Sequence, residues 1–177
     1  IQPSARMTWL PAENQTVWAS VSRAVHTPSR ATDDVSQLLA ADPTVPAVLA
    51  SVGNRGLESE ELIAYELGYR IQPTKTTAID VATFYNDYSK LFYNILGDIS
   101  FPGPYVYQPT YAVNANSATS KGGEVAVKWN PIRDWQLAGS YSYIDLVFER
   151  KGSVGYTDIG RAPRHQFNAR STYNFSH

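Results

Sequence analysis

The side chains that most often carry out chemistry are few in this sequence and widely spaced. Its three histidines, His26, His165 and His177, lie too far apart for the short spacing of a metal-ligand motif. The 177 residues include no cysteine, so there is no thiolate ligand, cysteine nucleophile or disulfide. Gly-x-Ser-x-Gly, His-Glu-x-x-His and glycine-rich phosphate loops are also absent. We therefore expect no catalytic site, no metal site and no cofactor.

One acidic cluster is close enough in sequence to act as a set of paired carboxylates. It consists of Glu58, Glu60 and Glu61, just before a strand-like segment. At the end of a strand these side chains are expected to form a solvated rim. A cation site is the alternative.

The composition excludes several classes of protein. Fifteen Lys and Arg oppose sixteen Asp and Glu, for a net charge of −1, so there is no basic footprint for nucleic acid. The longest apolar runs, such as 38–41 and 47–50, are far shorter than the roughly 20 residues of a membrane helix. Twelve tyrosines and four tryptophans accompany a charged fraction of only 18%, so part of the surface is expected to meet something other than water.

Alternation of side chains with a period of two predicts β-strands along most of the chain. Between residues 62 and 71, Ile63, Leu67 and Ile71 share one face, while Glu66 and Arg70 share the other. The same pattern recurs in later segments. We predict seven strands, over residues 4–10, 15–24, 60–71, 77–95, 117–129, 135–147 and 164–175.

Short and long connections alternate between these strands. Pro11, Pro73 and Pro131 each mark a short segment that reads as a tight turn. The long connections run roughly over residues 25–57, 97–116 and 149–163, and they are expected to be extended. Within the first, Thr32 is a candidate N-cap for a short helix from Asp33 to Ala41.

All four tryptophans, Trp9, Trp18, Trp129 and Trp135, lie beside short turns. A membrane-spanning β-barrel has aromatic side chains at its interfaces, short periplasmic turns, long outer loops and strands that are apolar outside and polar inside. The sequence has these features and favours an antiparallel transmembrane barrel, with a soluble β-sandwich as the alternative. Trp18 shares its face with serines and is expected to point inward.

Several motifs resemble those of TonB-dependent outer-membrane receptors. Gly-Asn-Arg-Gly-Leu-Glu-Ser-Glu at 53–60, followed by Tyr-Glu-Leu-Gly-Tyr-Arg at 65–70, is similar to the family's GN-x-x-L-x-x-E and YE-x-G strand. Ser-Arg-Ala-Val-His at 22–26, followed by Thr-Pro-Ser-Arg, resembles another strand end, with His26 in place of the usual arginine. Further similarities are Phe-Tyr-Asn-Asp-Tyr at 84–88, Gly-Glu at 123–124 with Trp-Asn-Pro at 129–131, and Pro-Arg-His at 163–165.

The resemblance implies an all-β fragment of a large barrel, of the 22-stranded type, in the bacterial outer membrane. Such receptors import scarce nutrients, powered through TonB from the inner membrane. A ferric siderophore is the first candidate for the ligand, with cobalamin or another chelate as alternatives. Residues 1–177 contain no counterpart of the family's plug domain or TonB-binding segment, so we expect a partial barrel. A passive porin and a soluble carbohydrate-binding sandwich are the alternative functions.

Two sets of residues are candidate sites within such a barrel. Charged residues on the mixed face of the strands are expected to line the lumen, where they contact a plug or pair with neighbouring strands: Glu66, Arg70, Asp80, Glu124, Lys128 and Arg170. Aromatic residues near the second long connection are expected to form a ligand-binding wall at the extracellular mouth, or else a small core of the loop itself: Tyr93, Phe101, Tyr105, Tyr107 and Tyr111.

Overall fold

The computed structural model describes residues 1–42, 44, 46–149 and 163–175, in which β-strands dominate. None of the helices in these residues has the length and apolar character needed to cross a bilayer. The elements in chain order are β1 (Ser4–Ala12), β2 (Gln15–His26), α1 (Arg30–Asp33), β3 (Gln37–Asp42), β4 (Ala47–Ser51), β5 (Glu60–Thr74), β6 (Thr77–Leu96), β7 (Val106–Ile132), β8 (Trp135–Glu149) and β9 (His165–Tyr173).

Seven of the strands form one antiparallel meander, in the order β1-β2-β5-β6-β7-β8-β9. These are the seven strands predicted from the sequence, and the all-β antiparallel class is confirmed. The short connections are two-residue turns at 13–14, 75–76 and 133–134. The number of strands in a closed barrel stays a prediction, and the expected loop over 149–163 lies almost wholly outside the described residues.

The three turn prolines lie in the strand ends rather than in the turns themselves. The pairing register shifts between Trp9 and Ala12, between Ile71 and Thr74, and between Trp129 and Ile132, and each interval contains one of the prolines. Proline has no N–H for the ladder, so within a sheet it is confined to edges, strand starts and bulges. The same irregularity therefore precedes all three short turns.

The helix predicted over 33–41 is wrong. The structure has a single turn, α1, whose N-cap is Ser29, and the Ser29 side chain accepts a hydrogen bond from Thr32 N at 3.3 Å. The next residues form β3, which pairs with β4 in a hairpin, and β4 in turn pairs in parallel with β7. These long-range backbone hydrogen bonds outweigh the local helical pattern, which is a weak preference.

The second long connection is shorter than predicted, because β7 begins at Val106. Residues 110–116 of β7 pair with β6, while 106–110 also pair with β4 on the other edge. β7 therefore extends past the end of its pairing with β8 at Ser117. The connection between β6 and β7 is reduced to residues 97–105.

The two faces of the sheet differ in polarity across all seven strands near the short turns. We call them the outward face, which is apolar there, and the inward face. One row of the outward face is apolar throughout: Trp9, Val17, Tyr69, Val81, Val125, Tyr141 and Phe167. A neighbouring row of the inward face is largely polar: Thr16, Arg70, Asp80, Ala126, Ser140 and Asn168.

Toward the long connections the two faces exchange polarity. There an inward row is apolar: Ala24, Leu62, Tyr88, Ala118 and Phe148. The outward face instead becomes charged beyond Tyr65, Tyr85 and Tyr143: it carries Arg23, Glu61, Asp87, Lys121 and Asp145. The outward apolar band is thus bounded on this side by aromatic rings, as expected at a membrane interface.

Two glycines on the inward face are covered by aromatic side chains from the neighbouring strand. A Cβ at Gly68 would lie 2.2 Å from the Trp18 indole. A Cβ at Gly122 would lie 2.8 Å from Phe84 and 2.1 Å from the Tyr143 carbonyl oxygen. Only glycine leaves room for these close approaches. Trp18 points inward, as its sequence neighbours predicted.

The assignment of the two faces predicts opposite effects of arginine at adjacent residues. Val125→Arg places a charge in the outward apolar row and should destabilise the folded barrel in lipid vesicles, lowering its free energy of unfolding by about 2–4 kcal/mol. Ala126→Arg places it inward, opposite Asp80, and should be far milder. Urea titrations of the full-length receptor in vesicles measure both. Equal losses would contradict the assignment.

Gly122→Ala should destabilise the barrel because its new methyl group meets a backbone carbonyl that cannot move aside. We expect a loss of about 1–3 kcal/mol in the same titration. Gly139→Ala is the matched control, since a Cβ there lies 3.7 Å from its nearest neighbour. Similar stabilities for both variants would show that the close contact at Gly122 is relieved at no cost.

Candidate functional site

The six predicted lumen residues all have inward parity in the observed register. Arg70 and Asp80 face each other across β5 and β6 and form an ion pair. Glu66 accepts a hydrogen bond from Ser20 Oγ at 2.9 Å. Among the described residues, Glu124, Lys128 and Arg170 have no such partner, so their charges remain available on this wall: their contact with a plug stays a prediction.

The long connection between β2 and β5 crosses the inward side of β6 and β7. It leaves β2, joins the far edge of β7 through β4, and returns to β5. Val52 N donates to Thr110 O at 2.8 Å, and Asn54 Nδ2 donates to Ala112 O at 2.8 Å. The four buried residues of β7, Ala112, Asn116, Ala118 and Ser120, share this inward parity. This end of the sheet is therefore partly covered from within.

The motif at 53–60 holds this connection in place. A Cβ at Gly53 would lie 2.5 Å from the Asp33 carbonyl oxygen, so glycine is required where the chain packs on α1. Asn54 Oδ1 accepts from Gly56 N at 3.0 Å, which closes a local turn. Glu60 accepts from Phe92 N at 2.9 Å. Motif residues that suggested a family are thus explained by packing and hydrogen bonding.

Asn114 links the connection to an irregular point in β6. Its side chain accepts from Glu58 N at 2.8 Å and donates to Glu58 O at 2.9 Å and to Lys90 O at 2.6 Å. Lys90 lies in a β-bulge and has a φ of 58°, in the left-handed region. That conformation costs a lysine about 1–2 kcal/mol, so the contacts around it must hold it there. No pattern in the sequence singles out Asn114 or Lys90.

The acidic cluster forms ion pairs rather than a cation site. Lys90 Nζ lies 2.6 Å from Glu58 and 3.3 Å from Glu61, and Arg23 lies 2.8 Å from Glu61. Glu60 lies 2.8 Å from His26 Nδ1. Within the described ranges, no group of three or more acidic or histidine side chains could hold a metal ion. The expected rim is a paired network, in which the Glu58 side chain is 64% exposed while Glu60 and Glu61 are 19% and 25% exposed.

Hydrogen bonds within this network, which lies beyond the outward apolar band, shift the pKa values of two of its members. Hydrogen bonds from Arg23, and then from Lys90, lower the pKa of Glu61 below its usual range. Hydrogen bonds to Glu58 and Glu61 raise the pKa of Lys90. Both shifts favour the charged forms of Glu61 and Lys90.

The five predicted aromatic residues lie on β6, on β7 and in the connection between these strands. Phe101 and Tyr105 lie in the connection over 97–105, and Phe101 is 72% exposed. Tyr93, Tyr107 and Tyr111 lie in β6 and β7 with outward parity, and Tyr111 and Pro109 pack beside Gly97. Phe101, Tyr105, Tyr107 and Tyr111 do not stack on another ring among the described residues.

A different aromatic pair faces inward at the same end of the sheet. The His26 ring stacks on Phe92 with centroids 6.1 Å apart, and Tyr88 lies in the inward apolar row. A groove of about 280 Å³ beside them is lined by residues that include His26, Glu60, Leu62 and Tyr88. Its walls combine apolar area with a histidine and a carboxylate, which suits a bulky ligand that carries polar groups.

Comparison with known proteins gives a consistent result. A family model described as TonB dependent receptor-like, beta-barrel matches residues 1–177. An iron-regulated outer membrane virulence protein of Vibrio cholerae serotype O1 is 26% identical over 121 residues, which are 66% of this chain and 18% of that protein.

Solved structures share the fold. The Pseudomonas aeruginosa ferric enterobactin receptor in complex with enterobactin has a TM-score of 0.70 at 17% identity, covering 97% of this chain and 25% of the receptor. The alcaligin outer membrane receptor of Bordetella pertussis has a TM-score of 0.60 at 21% identity, covering 99% and 26%. The Pseudomonas aeruginosa siderophore receptor PirA has a TM-score of 0.65 at 20% identity, covering 84% and 28%. The chain thus spans roughly a quarter of these structures.

Loss of the Asn114 side chain should free the connection between β4 and β5. Asn114→Ala removes three hydrogen bonds, each worth about 1 kcal/mol, so local opening should become roughly tenfold or more frequent. Trypsin cleavage after Arg55 in the full-length receptor, followed by mass spectrometry, measures this. Asn94→Ala is the control, because Asn94 is exposed and forms no side-chain hydrogen bond within the described part. Equal cleavage rates would contradict the anchoring role.

Proposed function

Because the chain belongs to the TonB-dependent receptor β-barrel family, we propose that it forms part of the wall of a receptor that imports a ferric siderophore, energised by TonB. Membership of the family places it in the bacterial outer membrane and makes it a transport protein rather than an enzyme. The predictions of family, location and absence of catalysis are thereby confirmed. The proposal adds two things to these: the ligand, a ferric siderophore, and the energy source, TonB.

The observation that carries the proposal is the exchange of polarity between the two faces of the sheet. An outward apolar band bounded by aromatic rings suits lipid, and a polar inward face suits a hydrated lumen. Beyond the band, the inward row from Ala24 to Phe148 offers apolar area to a ligand that arrives at the mouth. The described strands form one sheet, so a two-sheet soluble sandwich is not supported.

The relatives support an iron chelate as the ligand. The solved neighbours are named as receptors of enterobactin, of alcaligin and of siderophores in general, and the curated relative is named as iron-regulated. Cobalamin and other chelates remain alternatives within the same mode of transport. Because the chain covers only part of each relative, we propose that it acts within a larger receptor, in which other segments supply the plug and the contact with TonB.

Transport by the full-length receptor tests the proposal. We expect cells that carry it as their only siderophore receptor to accumulate radiolabelled iron from at least one of ferric enterobactin and ferric alcaligin, and to lose this uptake when TonB is deleted. Uptake of labelled cobalamin by the same cells is measured in parallel. Uptake that persists without TonB would identify a passive porin, and uptake of cobalamin alone would overturn the siderophore.

The structure suggests which rings contact the chelate. We propose that Tyr88 and Phe92 on the inward face, with Phe101 and Tyr105 of the predicted set, line its path. Each ring removed should weaken equilibrium binding by roughly 1 kcal/mol, about fivefold. The double variant Tyr88→Ala/Phe92→Ala should therefore bind a labelled chelate about 25-fold more weakly, at unchanged surface expression.

The outward residues provide the matched comparison. Tyr107→Ala/Tyr111→Ala removes two rings of the predicted set from the opposite face, further along β7 than the levels of Tyr88 and Phe92, and should leave the affinity nearly unchanged. The reverse pattern, with weaker binding only in this second variant, would support the aromatic wall predicted from the sequence and contradict the inward path.

A further inference from the structure

The charged residues of the mouth lie in the long connections and at the ends of the strands, and they are mainly acidic. The connection over 27–59 contains two arginines and four carboxylates, and the connection over 97–105 contains one charged residue, Asp98. In the described strands, the inward positions beyond the level of Ser120 include one histidine, His26, one carboxylate, Glu60, and no lysine or arginine. This part of the receptor therefore presents a negative charge to an arriving ligand.

The basic side chains near the mouth already have carboxylates of the protein beside them. Arg55 Nε lies 2.8 Å from Asp34 Oδ1, and Arg30 Nε lies 4.0 Å from the other oxygen of the same carboxylate. Lys90 and Arg23 belong to the ion-pair network with the acidic cluster. An anionic ligand would therefore compete with a carboxylate of the protein for each of these four cations.

The inward groove has no positive charge in excess of its own carboxylate. His26 Nδ1 lies 2.8 Å from Glu60, and Glu60 also accepts a hydrogen bond from Phe92 N at 2.9 Å. With a neutral His26 the pair is anionic, and with a protonated His26 it is neutral. The other lining residues include Leu62 and Tyr88, which offer apolar area. In neither state of His26 does this pair attract an anion by its net charge.

Ferric chelates differ in charge according to their iron-binding groups. Three catecholates supply six anionic oxygens to Fe³⁺ and leave a strongly anionic complex, whereas three hydroxamates neutralise the ion. Like charges placed together oppose binding, while an uncharged complex avoids this cost and still buries apolar area.

We propose that the imported chelate is of the uncharged hydroxamate type rather than the anionic catecholate type, an inference that rests on the proposed siderophore import. The groove beside Tyr88 and Phe92 then binds it through apolar and aromatic area. Glu60 and the acidic connections act against a catecholate complex. The solved receptor with bound enterobactin is 17% identical to this chain, and that likeness concerns the fold alone.

Uptake by cells that carry the full-length receptor as their only siderophore receptor distinguishes this inference from the proposed function. We expect TonB-dependent uptake of ferrichrome or ferric alcaligin, both hydroxamate complexes, to exceed that of ferric enterobactin, a catecholate complex, by roughly tenfold or more. Equal or greater TonB-dependent uptake of ferric enterobactin would overturn the inference and leave the proposed function standing. Uptake of neither kind through TonB would contradict both.

Equilibrium binding to the purified full-length receptor tests whether charge is the cause. Glu60→Gln keeps an oxygen that can accept from Phe92 N but removes the negative charge. At low ionic strength it should strengthen binding of ferric enterobactin by about fivefold and leave that of ferrichrome unchanged. Asp87→Asn is the matched control, because Asp87 is an exposed carboxylate on the outward face of β6, and it should change neither affinity.

Salt provides a second measurement on the unmodified receptor. Screening of repulsion should make ferric enterobactin bind more tightly as salt is added, while the affinity for ferrichrome stays constant. A catecholate affinity that falls with salt would reveal net attraction and overturn the inference. An effect of Glu60→Gln that is equal for both chelates, or absent from both, would also overturn it, since a change of shape acts on both complexes and a change of charge acts on one.

Discussion

The structure depends on backbone hydrogen bonds between neighbouring strands, because a bilayer offers no water to replace them. Every N–H and C=O group within the membrane must be paired inside the protein. The pairing fixes the register, and the register fixes which side chains share a face, since the side-chain period in a strand is two. One slip by a single residue would turn the row through Val125 inward and the row through Ala126 into lipid. The polarity of the side chains and the backbone pairing therefore specify the same strand register.

Beyond the apolar band the same paired strands continue, but the polarity of their two faces is reversed. Water is present there, so the outward face carries ion pairs such as Arg23 with Glu61, while the inward face becomes apolar. The connection between β2 and β5 lies on that inward side and is held by Asn54 and Asn114. The mouth is thus formed by strands continuing past the bilayer as well as by loops. The proposed ligand path therefore follows a wall whose shape is set by backbone pairing.

Local pattern was sufficient to predict the seven meander strands and which residues share a face, because the two faces of the sheet differ in polarity near the short turns and the side chains alternate between them. Trp18 was correctly expected to point inward for this reason. The pattern failed where pairing partners are distant in sequence. Residues 33–41 have the local pattern of a helix, but Gln37 to Asp42 forms β3 by pairing with β4, which in turn pairs with β7. The roles of Lys90 and Asn114 depend on a bulge and a crossing segment, neither of which leaves a periodic signal.

The central claim is that alternate residues of one strand face lipid and lumen, and labelling tests it directly. The chain has no cysteine, so a single cysteine can replace each residue of 123–129 in turn. In the full-length receptor in vesicles, an environment-sensitive probe should report an apolar setting at 125, 127 and 129 and a wet setting at 124, 126 and 128. A uniform signal, or one with a period near that of a helix, would contradict the account.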